Sequence, residues 1–173
     1  MVLAAIAVSA VVTSHVRSLS DHARIALAEG LRRSATIVRL VGQIEASDVI
    51  VFLDTRVDPE IPTAETMLMT TAKGARYVRV ILNPRMTLDD RVEYLGHELQ
   101  HAVEIANDAQ VIDGPSVRRR FASIGRELAS STLRERAFET DEARLVSIAV
   151  RRELAHPARG GSVTPGRGGS EPR

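Results

Sequence analysis

Between Arg76 and Asn107 the hydrophobic pattern changes period, and this change constrains the fold more than any other feature of the chain. In Arg76–Leu82 (RYVRVIL) the side chains alternate: Tyr77, Arg79 and Ile81 share one face, and Val78, Val80 and Leu82 share the other. That pattern predicts a strand with one apolar face. Asn83-Pro84 ends it, because the residue before a proline is held in an extended conformation that leads into a turn. Thr87 then predicts a helix cap, with Asp89 and Asp90 in the first turn, where the helix dipole favours acids. From there apolar residues recur at helical spacing to about Asn107. A strand must therefore feed directly into a long helix.

The rest of the chain supplies further elements. Ser20-Asp21 marks a helix start, and Arg24–Arg33 places Ile25, Leu27, Ala28 and Leu31 at helical spacing. Ser34 caps a second helix, Ala35–Glu45, with Ile37, Leu40, Val41 and Ile44 on one face. Asp48–Leu53 is a β-branched run of strand length. Arg56–Thr63 holds two prolines and reads as a loop. Thr66–Thr71 and Tyr77–Leu82 read as strands joined by a hairpin turn over Ala72–Arg76. With Ser116 as a cap, a shorter helix is expected over Val117–Leu128, and a last one over about Leu133–Leu154. Strands grouped together, with helices before and after, predict an α+β domain. Its sheet would have three strands, antiparallel or mixed, packed with about five helices. Residues 19–155 form the expected domain. Residues 1–18 make an apolar N-terminal segment. Residues 156–173 are a Gly-, Pro- and Ser-rich tail for which the composition predicts disorder.

Composition narrows the function. The net charge is +1 and no basic stripe is present, which argues against a dedicated nucleic-acid binder. Arg118-Arg119-Arg120 reads as a solvated helix face. The chain has no cysteine, so any metal must be held by His, Asp or Glu. Val2–Val12 (VLAAIAVSAVV) is too short to span a bilayer, which takes about 20 apolar residues. Its length suits the apolar region of a signal peptide, and Val8-Ser9-Ala10 resembles a cleavage site, although no Lys or Arg precedes it. Export to the periplasm or medium is favoured over the cytoplasm, with a buried helix or strand at the domain edge as the alternative. No stable membrane span is expected.

The long helix spells HExxH: His97, Glu98 and His101 within VEYLGHELQHAVEIAN. On a wheel of about 100° per residue, His101 lies about 40° from His97. Leu88, Val92, Leu95, Leu99, Ala102, Val103 and Ala106 gather almost opposite. Both imidazoles thus share a face, one turn apart, and can converge on one ion, with Glu98 beside them. The chance of such a match arising in a chain of this composition is roughly 1%.

The chain here resembles the zincin metallopeptidases, strictly over Gly96–Val103 and loosely over about Asp48–Leu154. It looks most like small bacterial HExxH proteins of the glutamate type. The resemblance implies that His97 and His101 are zinc ligands and that Glu98 is the general base. It also implies an edge strand that aligns substrate, for which Tyr77–Leu82 is the candidate. A catalytic zinc keeps three protein ligands and one open position. The metzincin continuation is absent, since Glu104 stands where that pattern has Gly. Glutamate-type zincins draw the third ligand from a downstream helix, here within Arg136–Val150. Glu139 is favoured, in line with Ala143, Val146 and Val150 on an apolar stripe, although the family's Ala usually follows three residues after the Glu rather than four. Glu142, Asp141 and Glu104 remain alternatives, Glu104 better suited to supporting a ligand than to being one. Tyr77, Tyr94 and His156 are candidates for oxyanion stabilisation. The expected function is zinc-dependent (Zn2+) hydrolysis of a peptide or protein substrate, in an open cleft suited to extended chains. The alternatives are a non-catalytic protein stapled by a metal and a helical interaction module.

Overall fold

The computed structural model describes residues 14–58, 63–127 and 138–156. The protein is α+β. Its elements run β1 (Val16–Ser18), α1 (Asp21–Arg33), α2 (Ala35–Glu45), β2 (Val49–Thr55), β3 (Ala64–Ala72), β4 (Ala75–Leu82), α3 (Leu88–Ala106), α4 (Gly114–Ile124), β5 (Gly125–Glu127), β6 (Phe138–Thr140) and α5 (Asp141–Ala155). The apolar N-terminal run Val2–Val12 and the tail Ala158–Arg173 lie outside the described residues.

The main sheet has four strands, not three, in the order β1-β2-β4-β3. The extra strand is β1, which pairs parallel to β2 through Val16↔Val51 and Ser18↔Leu53. Residues 16–18, assigned from sequence to the N-terminal segment, therefore belong to the fold. At three residues β1 is too short for an alternation signal. β2 and β4 are parallel, and β3 pairs antiparallel to β4, so the sheet is mixed. The β3–β4 hairpin turns on Lys73 and Gly74, both with positive φ (52° and 78°), which is the two-residue turn that matches strand twist. A second, two-stranded sheet pairs β5 with β6.

Three helix starts follow the predicted caps. Ser20, Ser34 and Thr87 each accept a backbone N–H from the first turn of α1, α2 and α3. α4 differs: Asp113 is its cap, and Ser116 reciprocates in a capping box, so the helix spans Gly114–Ile124 rather than Val117–Leu128. α5 also starts later than expected, at Asp141, capped by Thr140.

The buried face of the sheet, with Val49, Val51, Leu53, Val78, Val80 and Leu82 fully inaccessible, packs on α2 and α3. α3 is central, touching α1, α2, α5 and strands β2–β4. Its burial extends round the helix, from Val92, Leu95 and Leu99 to Glu93, Glu98, His101 and Glu104. The histidine face is thus not a solvent face. α5 covers it, and Gly96 permits the approach: a Cβ there would stand 2.8 Å from Val150 Cγ2. An ion pair and hydrogen bonds to a carboxylate hold the arrangement. Arg151 forks onto Glu93 at 2.6 and 2.8 Å, and Glu153 accepts from Ser34 and Thr36 at the start of α2.

Candidate metal centre

His97 and His101 lie one turn apart on α3, and their Nε2 atoms are 3.2 Å apart. Two nitrogens at zinc-ligand distances of about 2.0–2.1 Å, subtending a tetrahedral angle, would be about 3.3 Å apart. The observed spacing is that of one edge of such a site. Glu139 Oε1 stands 3.8 Å from His97 Nε2. The corresponding nitrogen–oxygen edge is about 3.4 Å, so Glu139 is about 0.4 Å outside contact geometry. Among the described residues no group of three or more His, Asp or Glu side chains is already close enough together to hold a metal ion. The two histidines supply one edge of a cage, and the carboxylate sits just beyond it.

Each imidazole is oriented through its other nitrogen. His101 Nδ1 lies 2.8 Å from Glu104 Oε2, and Glu104 Oε1 accepts from Thr140 Oγ1 at 2.7 Å. His97 Nδ1 lies 3.1 Å from Ser147 Oγ. With His101 Nδ1 on a carboxylate and His97 Nδ1 on a hydroxyl, both Nε2 atoms are turned towards each other. Metal-binding histidines are held in this way, with the second nitrogen tied to a carboxylate or carbonyl. Glu139 Oε1 is buried without any hydrogen-bond partner. A buried carboxylate oxygen left unpaired is costly, and here it lies beside two inward-facing imidazole nitrogens.

The electrostatics follow from that crowding. Burial, with His101 alongside, pushes His97 down to about 4, so it is neutral at ordinary pH. Burial also opposes charge on His101, but the Glu104 hydrogen bond and the charges of Glu98, Glu104 and Glu139 outweigh it and raise its pKa. The surrounding carboxylates therefore favour positive charge at His101. Burial pushes the Glu98 carboxyl above its usual range, partly offset by His101 and Thr66, with Glu139 adding to the rise. Glu104 is instead held below its usual range: burial resists, but the hydrogen bonds from His101, Thr140 and Gln100 prevail.

Glu98 Oε2 accepts from Thr66 Oγ1 at 2.6 Å. Thr66 lies on β3, which is the edge of the sheet; β4 is interior, flanked by β2 and β3. The expectation that Tyr77–Leu82 forms the edge strand beside the site is therefore corrected to Ala64–Ala72. An alternating apolar pattern marks a half-buried strand but does not give its place in the sheet.

Glu139 lies close to the histidines, although not for the reason the sequence suggested. It belongs to β6, not to the α5 stripe with Ala143, Val146 and Val150, and the strand before the helix carries it to His97. The expected helix segment 133–137 lies outside the described residues. Asp141 and Glu142 are exposed, Asp141 pairing with Arg126 and Arg144, so neither faces the histidines. Glu104 backs His101 rather than joining the inward group. Of the oxyanion candidates, Tyr77 stacks on Phe52 (6.3 Å between centroids) on the opposite sheet face. Tyr94 lies beside Arg151, and His156 ends α5, far along the helix from Glu139. None of the three hydrogen-bonds to or stacks on His97 or His101, whose contacts are with Ser147, Glu104, Phe121 and each other.

Thr66, Thr140, Ser147 and Phe121 were missed by sequence. Phe121 packs edge-on against the His101 ring, 5.2 Å between centroids. Only Thr140 carried a local signal: a Thr directly before Asp141-Glu142 is a cap followed by acids. Two shallow surface depressions lie along α4, one lined by Arg118, Arg119 and Phe138, and neither includes the histidines. The centre opens instead at His97 and Glu139, whose side chains are 16% and 24% exposed.

No family model, no curated protein and no solved structure matches the chain. The functional reading rests on this geometry. No helix among the described residues is long and apolar enough to cross a membrane.

Proposed function

We propose that the protein is a zinc-dependent hydrolase of the zincin type acting on peptide bonds, with His97, His101 and Glu139 as ligands and Glu98 as general base. The observation that carries this reading is the convergence of His97 Nε2, His101 Nε2 and the unpartnered Glu139 Oε1. Bound there, zinc would polarise a scissile carbonyl and bring a water's pKa towards neutrality. The chain's own contribution is proton management. Thr66 occupies Glu98 Oε2 and leaves Oε1 to take a proton from water and deliver it to the leaving amine. β3, which carries Thr66, is the outermost strand of the main sheet among the described residues, and an extended peptide could align along it.

Metal analysis and a peptide-library cleavage screen test the proposal together. The expected result is one zinc per chain in the wild type and in Glu98→Gln, and none in His97→Ala. Hydrolysis should fall about a hundredfold or more in Glu98→Gln. A wild type that takes up no zinc would overturn the metal site, and cleavage indifferent to Glu98→Gln would overturn the mechanism.

One observation favours a second reading, a metal site without turnover: Glu98 is only 5% exposed and is already hydrogen-bonded by Thr66. Under that reading zinc binds in the same stoichiometry, and no peptide in the library is cut.

A further inference from the structure

The start of α5 is tied to Glu104, which in turn holds His101. The Ala143 N–H donates to Thr140 Oγ1 at 3.1 Å. The Thr140 hydroxyl has a single hydrogen. As the cap of α5, its oxygen is already an acceptor, so its hydrogen is available for Glu104 Oε1 at 2.7 Å. Gln100 Nε2 approaches the same oxygen at 3.5 Å. The other oxygen, Oε2, faces His101 Nδ1 at 2.8 Å. A carboxylate only accepts, so the relay has one polarity. Backbone N–H donates to hydroxyl, hydroxyl to carboxylate, and imidazole N–H to carboxylate, which in the neutral ring leaves the lone pair on His101 Nε2, 3.2 Å from His97 Nε2. Every member is shielded from water: Thr140 is 2% exposed, Glu104 6% and His101 7%.

We infer that Thr140 is a positioning residue for the metal centre: held as the cap of α5, its hydroxyl fixes Glu104 and, through Glu104, the tautomer and rotation of the His101 ring. The inference rests on the proposed metal site. It adds a coupling to that site, since the residue that starts α5 also orients a ligand on α3. Thr140 directly follows Glu139, so the same short strand delivers the third ligand and the hydroxyl that sets the second. Thr140 touches neither the inward nitrogens nor Glu98 and acts only through Glu104.

A structural cap and a positioning hydroxyl are separated by zinc affinity, measured by chelator competition, alongside the melting temperature of the metal-free chain. Thr140→Val, which keeps shape and loses the hydroxyl, should weaken zinc binding about ten- to a hundredfold, the usual cost of losing an outer hydrogen-bond partner of a ligand. Thr140→Ser should restore it. In a Glu104→Ala background, Thr140→Val should have no further effect on affinity while still lowering the melting temperature, because the cap acts in both backgrounds. Should Thr140→Val fold poorly, Thr140→Gly retains most of the cap and lacks the hydroxyl, and it should show the same loss of affinity.

Unchanged zinc affinity in Thr140→Val or Thr140→Gly overturns the inference and leaves the metal site standing. An equal loss of affinity with and without Glu104 also overturns it, placing the effect in α5 itself. A wild type that binds no zinc overturns the site and the inference together.

Discussion

Arg76 ties the sheet to the end of the motif helix. Its guanidinium is 3% exposed, forks onto Asp48 at 2.6 and 2.9 Å, and donates to the carbonyls of Ile105, Ala106 and Asp108. These are orphan acceptors at the C-terminus of α3 and just beyond it, where a cation is also favoured by the helix dipole. Arg76→Ala strands them and should cost about 3–5 kcal/mol of stability in urea unfolding. Arg76→Lys should recover only a part, since an ammonium cannot reproduce the planar fork. The pH dependence of this tie has a definite sign. Arg76 hydrogen bonding holds the Asp48 carboxyl below its ordinary 3.8, against an opposing effect of burial. A depressed carboxylate contributes stability above its unfolded pKa and loses it as pH falls through the lower folded value. Asp48 is 46% exposed, so solvent screens the pair and the effect is modest. Asp48→Asn should therefore be less stable than wild type at neutral pH, and the gap should narrow on acidification below about pH 4. A gap that stays constant from neutral pH into acid would show that the ion pair contributes nothing through its charge.

The α3–α5 pair carries the candidate centre, and its spacing is set by Gly96. A methyl there would meet Val150 Cγ2 at 2.8 Å and Val146 Cγ1 at 3.5 Å, both on a packed helix face. Gly96→Ala should cost about 1–3 kcal/mol by overpacking. If zinc binds there, the substitution should also weaken it, since Ser147 of α5 reaches His97 and Thr140, the cap of α5, holds Glu104 against His101. Trimming the opposing methyls in Gly96→Ala/Val150→Ala should restore zinc affinity; a double variant as weak as the single one would show that spacing is not the cause. At this scale the sequence was partly legible. Ser20, Ser34 and Thr87 named three helix starts because each hydroxyl precedes an apolar-periodic run, a signal that needs no tertiary context. The pair His97 and His101 was legible because helical spacing alone aligns them. Glu139 was found by residue type but placed on the wrong element. The acids Asp141 and Glu142 fit a helix interior as well as a first turn, so the pattern ran through the β6–α5 junction. β1, the sheet order and the Thr66–Glu98 bond depend on pairing between distant segments, and periodicity says nothing about that.

At the scale of the whole molecule, the question is whether a metal would make the fold or only occupy it. The core is continuous without one: β1, β2, β4 and all five helices contribute buried apolar side chains to a single cluster. α5 is anchored independently of the histidines, by Val150 and Leu154 in the core, by Arg151 on Glu93, and by Arg33 donating to the Leu154 carbonyl at 2.6 Å. A staple that creates the fold would be expected where a core is too small to stand alone, and that is not the situation here. The metal-free chain should therefore remain folded, with cooperative unfolding and native far-ultraviolet circular dichroism in excess chelator. Zinc should then add only the free energy of binding to the native state, about 2.7 kcal/mol at a hundred times its dissociation constant. For a domain of this size that is a rise in melting temperature of about 5–10 °C. His97→Ala should abolish the rise and leave the metal-free melting temperature nearly unchanged, because its ring contributes more to the centre than to the core. Loss of the native spectrum on chelation would instead make the metal a structural necessity. That would favour the non-catalytic reading, because a site that holds the fold together needs all its coordination positions closed, whereas a hydrolytic site must keep one open.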